Sequence, residues 1–129
     1  MADEMVEKGI EITERIWGRS RSERMQRSLE ELGPPGFSDY VNRVFALYDR
    51  PALDLKTRSL CQVAALTALG QEAELKIHLR GALNNGATPE EAHEVIFQMA
   101  PYCGLPKVIH ALQVARQVFK GHQVPEDRP

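Results

Sequence analysis

The sequence predicts an all-α protein on three observations. Apolar residues recur at spacings of three and four along most of the chain, helix stop and start residues punctuate it at short intervals, and no segment alternates apolar and polar residues long enough for a strand. The 129 residues, 43% of them hydrophobic, suffice for one packed domain. Sixteen basic against 18 acidic residues leave a formal charge of −2, without the basic stripe of a nucleic-acid or membrane-surface protein. Two cysteines, Cys61 and Cys103, exclude a secreted disulfide scaffold. No apolar run approaches the roughly 20 residues of a membrane span, and the start, Met-Ala-Asp-Glu-Met-Val-Glu-Lys, is acidic and helical rather than a signal peptide. The expectation is a cytoplasmic protein with neither nucleic acid nor membrane as partner.

Residues 3–17 read as a first amphipathic helix, with Val6, Ile10, Ile16 and Trp17 on its apolar side. Residues 18–36 are rich in Arg, Ser and Gln and end in Gly33-Pro34-Pro35-Gly36, the composition of an arm or linker. A helical stretch from Phe37 to Tyr48 stops at Asp49-Arg50-Pro51. Leu55 to Leu69 is apolar almost all round, which predicts a central buried helix with Cys61 in the core. Gly70 interrupts, and Gln71 to Leu83 carries Leu75, Ile77, Leu79 and Leu83. Asn84-Asn85-Gly86 is a helix stop, and Thr88-Pro89-Glu90-Glu91 is a start with the spacing of a capping box. The next helix sets Ala92, Val95, Ile96, Met99 and Cys103 on one face before Gly104. Pro106 opens the last, which carries Val108, Ile109, Leu112, Ala115, Val118 and Phe119 and stops at Gly121. The expected organisation is a single domain over 1–129, made of an N-terminal helix and arm (1–36), a helical core (37–120) and a flexible tail (121–129). An arm of this kind cannot close a bundle alone, so neighbouring subunits are expected to cover it.

Much familiar chemistry is missing: there is no Cys-x-x-Cys, no Gly-rich phosphate loop, no His-x-x-x-His and no Gly-x-Ser-x-Gly. Glu90–His93 is the one Glu-x-x-His spacing, and it lies on a charged stretch that reads as a solvated face, so no metal ligand set is expected. Glu74 and His78 stand four apart and meet on one helical face. A carboxylate there fixes the imidazole tautomer, raises its pKa and makes it an acid or base near neutral pH, although an ordinary surface pair has the same spacing. His110, among Val108, Ile109 and Leu112, reads as a packed or interface histidine. Cys103, after Tyr102 at a helix end, reads as a small packing residue. Arg58 suits either a bidentate carboxylate contact or a helix start.

Three blocks with their spacings resemble the carboxymuconolactone decarboxylase family. They are Leu53-Asp54-Leu55-Lys56-Thr57-Arg58-Ser59-Leu60; Glu74-Leu75-x-x-His78-x-Arg80-x-Ala82-Leu83-Asn84-Asn85-Gly86-x-Thr88-x-Glu90-Glu91; and Tyr102-Cys103-Gly104-x-Pro106. The likeness runs from about Arg50 to Phe119, and a weaker one reaches Gly9 to Gly18 and Arg27-Ser28-Leu29. It implies an all-α fold of the alkylhydroperoxidase D-like type, assembled into a ring, commonly a hexamer built as a trimer of dimers. The implied activity is decarboxylation of a small molecule, 4-carboxymuconolactone to β-ketoadipate enol-lactone in aromatic-acid catabolism, without metal or organic cofactor. On that reading His78 and Glu74 are catalytic, and Arg58, Arg80, Tyr102, Cys103 and His110 bind substrate. The sister branch reduces peroxides with a Cys-x-x-Cys-x-x-x-His motif, and on that motif this chain has Gln71-Glu72-Ala73-Glu74 before His78, with both thiols absent. Thiol-dependent peroxide reduction through Cys103 and a non-catalytic oligomeric role stand as alternatives. Two departures, the lack of a Trp shortly before Arg50-Pro51 and the run Lys107-Val108-Ile109-His110 after Pro106, alter the pocket and make His110 a second acid–base candidate.

Overall fold

A computed structural model describes residues 3–129, and among them the regular structure is entirely helical. The chain divides into two compact units, one ending at Asp54 and joined by Pro125–Pro129, the other spanning Leu55–Val124.

In the first unit α1 (Glu4–Trp17) starts at Asp3, whose Oδ1 accepts from the amides of Met5 and Val6 at 2.9 and 3.3 Å. Its core face is Ile12, Ile16 and Trp17. The expected arm is instead a helix, α2 (Arg19–Leu32). Its packing face is polar, which is why the sequence showed no stripe there. Ser22 is buried with its Oγ 2.7 Å from Thr13 Oγ1 of α1. Gln26 bonds both amide ends to Asn42 of α3 (Phe37–Phe45) and also accepts from Ser38 Oγ at 2.7 Å. Asn42 is fully buried, and its Nδ2 also donates to the Ser38 carbonyl at 2.9 Å, so the network is satisfied from within. A 3₁₀ turn, Ala46–Asp49, follows α3, and Phe45 stacks edge-on against Trp17 and Tyr48 at centroid distances of 5.7 and 5.5 Å.

The expected flexible tail also has a definite place. Gly18 offers no side chain to cap α2, and Asp127 supplies the cap from the far end of the chain: its Oδ2 accepts from Ser20 N at 2.8 Å and Ser20 Oγ at 2.7 Å. Next to it, Arg128 Nε donates to the Arg15 carbonyl in the last turn of α1 at 2.6 Å. These partners lie 107 and 113 residues apart in sequence, so no local pattern announces them.

The second unit holds α4 (Leu55–Leu69), α5 (Glu72–Asn84), α6 (Pro89–Phe97), the short α7 (Ala100–Cys103) and α8 (Leu105–Gly121). Val63, Leu75, Leu79, Ile96, Val114 and Ala115 form the middle of its core, each at most 1% exposed. The capping box is present: Thr88 Oγ1 accepts from Glu91 N, Glu91 Oε1 accepts from Thr88 N, both at 3.0 Å, and Lys56 reaches the same carboxylate at 2.9 Å. At the end of α5, Gly86 takes φ +98°, and the Ala87 amide then closes onto the Ala82 carbonyl at 2.9 Å. The expectation for α4 is corrected in one respect. Only its Ser59, Val63 and Thr67 stripe is buried, and Cys61 is exposed rather than core. Leu60 and Leu66 are half-buried against the same core, while Leu69 at the end of the helix is 65% exposed.

Gly9 is the closest crossing of α1 and α3, where a Cβ would overlap the Asn42 backbone carbonyl. Gly9→Ala is expected to destabilise the protein by roughly 3 kcal/mol, because neither backbone can yield without breaking the buried amide network. Urea unfolding followed by circular dichroism measures this; an unchanged midpoint would show that the two helices can separate freely.

Candidate active site

Helical spacing on α5 places Glu74 and His78 on one face, as expected, with Nε2 and Oε2 3.8 Å apart. The two side chains live in different surroundings: that of His78 is 13% exposed and that of Glu74 57%. The imidazole turns inward because its Nδ1 meets Gln62 Oε1 of α4 at 2.7 Å. One turn earlier on α4, Ser59 Oγ accepts from Asn85 Nδ2 at 2.9 Å, which sets the register of α4 against the end of α5.

Burial decides the electrostatics. Desolvation lowers the His78 pKa from 6.5 to about 4, the reverse of the rise that a neighbouring carboxylate predicts. Glu74 stays in water, where its attraction is screened, while the ring has left water. His78 is therefore neutral at pH 7.

The remaining sequence candidates are distributed over the second unit. Arg58, half-buried on α4, stands four residues before Gln62 and so shares its side of the helix. Arg80, also half-buried, leaves α5 about 200° around from His78. Tyr102 is 83% exposed at the end of α7. Cys103 is half-buried there, its Sγ 3.9 Å from the Gly104 carbonyl. His110 of α8 pairs with Glu72 across 3.5 Å, both substantially exposed. The structure thus brings Glu74 and His78 together and adds Gln62. Sequence reasoning missed Gln62, whose sole signal is a polar residue inside the otherwise apolar run Leu60–Leu66.

A hollow of about 670 Å³ opens between α6 and α8, lined by His93, Phe97, Leu112, Arg116, Phe119 and Lys120, and holds none of the candidates. Among the described residues no group of three or more His, Cys, Asp or Glu is placed to hold a metal ion. Nor is any helix of those residues long and apolar enough to cross a membrane.

The lowered pKa has a measurable consequence. Between pH 6.5 and about 4 the unfolded chain binds a proton at His78 that the folded protein refuses. The stability tied to the neutral ring is complete above pH 6.5 and lost as pH falls to about 4, an amount of up to about 3 kcal/mol. Unfolding free energies from urea titrations at pH 7 and pH 4 are expected to differ less in His78→Gln by up to about that amount; an equal difference in both proteins would contradict a buried neutral imidazole.

Residues 35–117 match the model of the Carboxymuconolactone decarboxylase family. The chain is 37% identical over 123 residues to a 4-carboxymuconolactone decarboxylase of Acinetobacter baylyi, covering 92% of this chain and 89% of that protein. It is 33% identical over 118 residues to the nitrosuccinic acid decarboxylase npaB of Metarhizium robertsii, covering 89% and 81%. An uncharacterized 15.0 kDa protein from the nqo9–nqo10 intergenic region of Paracoccus denitrificans is 40% identical over 96 residues, 72% of each chain.

Proposed function

The chain belongs to the carboxymuconolactone decarboxylase family, and from that premise we propose that it is a carboxy-lyase acting on a small carboxylated lactone, 4-carboxymuconolactone first, without metal or organic cofactor. The observation that carries the reading is the desolvated imidazole of His78, held from α4 and met at its Nε2 end by an exposed carboxylate.

The two named decarboxylases have substrates with one feature in common: each joins a carboxylate to a built-in electron acceptor, a conjugated lactone carbonyl in one and a nitro group in the other. Such a substrate supplies its own electron sink. The bond to the carboxylate carbon breaks, carbon dioxide leaves, and the electron pair moves onto the lactone oxygen as a dienolate. A proton then returns to the carbon next to the carbonyl, and the lactone carbonyl re-forms with the ring double bond moved to the carbon that lost carbon dioxide, which is the enol-lactone. The protein's tasks are to steady the growing oxyanion, exclude water and deliver that proton.

Arg58, on the Gln62 side of α4, is assigned the lactone oxygen. His78 is assigned the proton. At rest it is neutral; an anionic substrate beside it, and the charge that builds during carbon dioxide loss, favour its imidazolium form. Glu74 links the Nε2 end to solvent and replaces the proton after each turnover. The exposed apolar side chains of Tyr102, Leu105 and Ile109 form the surface on which a second copy closes the pocket, in keeping with the hexamer the resemblance implies.

The test is carbon dioxide release from 4-carboxymuconolactone by purified protein. Turnover is expected, with kcat lowered by about 10²- to 10⁴-fold in His78→Ala at unchanged helical content. Folded, oligomeric protein that releases no carbon dioxide above background overturns the reading.

A further inference from the structure

We infer that Gln62 is a positioning residue: it selects the Nδ1–H tautomer of His78 and thereby makes Nε2, the nitrogen facing Glu74, the atom that exchanges the proton. The inference rests on His78 being the proton donor, as argued above.

A neutral imidazole carries one N–H and one lone pair, and which nitrogen has which is set by the partner of the other. The partner of Nδ1 is a side-chain amide oxygen at 2.7 Å, which accepts a hydrogen bond and has no proton to donate. Nδ1 must therefore be the donor, and the lone pair belongs to Nε2. Free imidazole side chains lean toward the opposite tautomer, so this choice is imposed by α4.

An amide suits this role better than a carboxylate. Glutamate at 62 would orient the ring equally well, but its charge would draw a resident proton onto His78 and keep the imidazolium at rest. Glutamine orients without charging. The ring stays neutral in the empty site and takes its proton only when the substrate brings negative charge. Gln62 is itself held in place: it is half-buried on the face of α4 whose Ser59 and Val63 pack against α5. The imidazole is thus fixed at Nδ1 by a half-buried neutral group and faces Glu74, on the solvent side, with Nε2.

Nitrogen-15 spectra of the imidazoles, with His78 assigned by its absence in His78→Gln, report the tautomer directly and need no substrate. The wild-type protein is expected to show Nδ1 protonated and Nε2 bare at pH 7. In Gln62→Met, similar in shape but without an acceptor, the population moves toward Nε2–H, and kcat falls about 10- to 100-fold with KM little changed. In Gln62→Glu the ring orientation is kept, and the imidazolium is present at pH 7. Should Gln62→Met fold poorly, the wild-type and Gln62→Glu spectra decide the matter alone. A wild-type ring in the Nε2–H form, or a Gln62→Met spectrum identical to wild type, overturns the inference. Absence of carbon dioxide release with the Nδ1–H tautomer intact overturns the assigned reaction and leaves the tautomer assignment standing.

Discussion

The pairing of α4 with α5 is the constraint on which both the second unit's core and its chemistry depend. Val63 on one helix and Leu75, Leu79 and Ala82 on the other leave water together, and the same contact removes His78 from water. Had α5 packed by its apolar residues alone, His78 would have been an ordinary surface histidine beside a carboxylate, charged or neutral according to pH. The hydrogen bond to Gln62 makes its burial affordable, since a polar ring taken out of solvent needs a partner. Core formation and the neutral state of the imidazole are therefore one event, and neither survives a change in helix register.

The first unit reaches definite packing by different means. Its joints are polar: Thr13 with Ser22, and Gln26 with Ser38 and Asn42. Such joints specify position more sharply than apolar contacts, because a buried amide that slips loses several partners at once. The Asp127 and Arg128 contacts act likewise, using the chain's last residues to complete the end of α1 and the start of α2.

A histidine held below its ordinary pKa is at first sight a poor proton donor. It becomes an effective one when the substrate supplies the missing charge, because a desolvated site magnifies the attraction between the imidazolium and a developing oxyanion. Under the proposed reaction the proton is then donated where carbanion character appears, and the neutral resting ring does not hold it beforehand. In the proposed reaction Glu74 takes the complementary task of renewing that proton, because its side chain remains in contact with water.

The sequence by itself determined the helical class, the hairpin between α5 and α6, and the Glu74–His78 pair, because these follow from interactions within one or two turns. Thr88 and Glu91 are three residues apart, Gly86 acts on its own turn, and i,i+4 neighbours meet in any helix. Tertiary structure alone decided that residues 19–32 form a helix, that the last residues are tied down, that Cys61 is exposed and that the His78 pKa falls. Each of these depends on groups distant in sequence: Ser22 on Thr13 and Gln26 on Asn42, Ser20 on Asp127, and His78 on Gln62. The physical reason is that hydrogen-bonded burial of polar side chains writes no hydrophobic period, and that desolvation is set by what a ring packs against. A carboxylate four residues away is visible in the sequence; the helix that excludes water from the same imidazole is not.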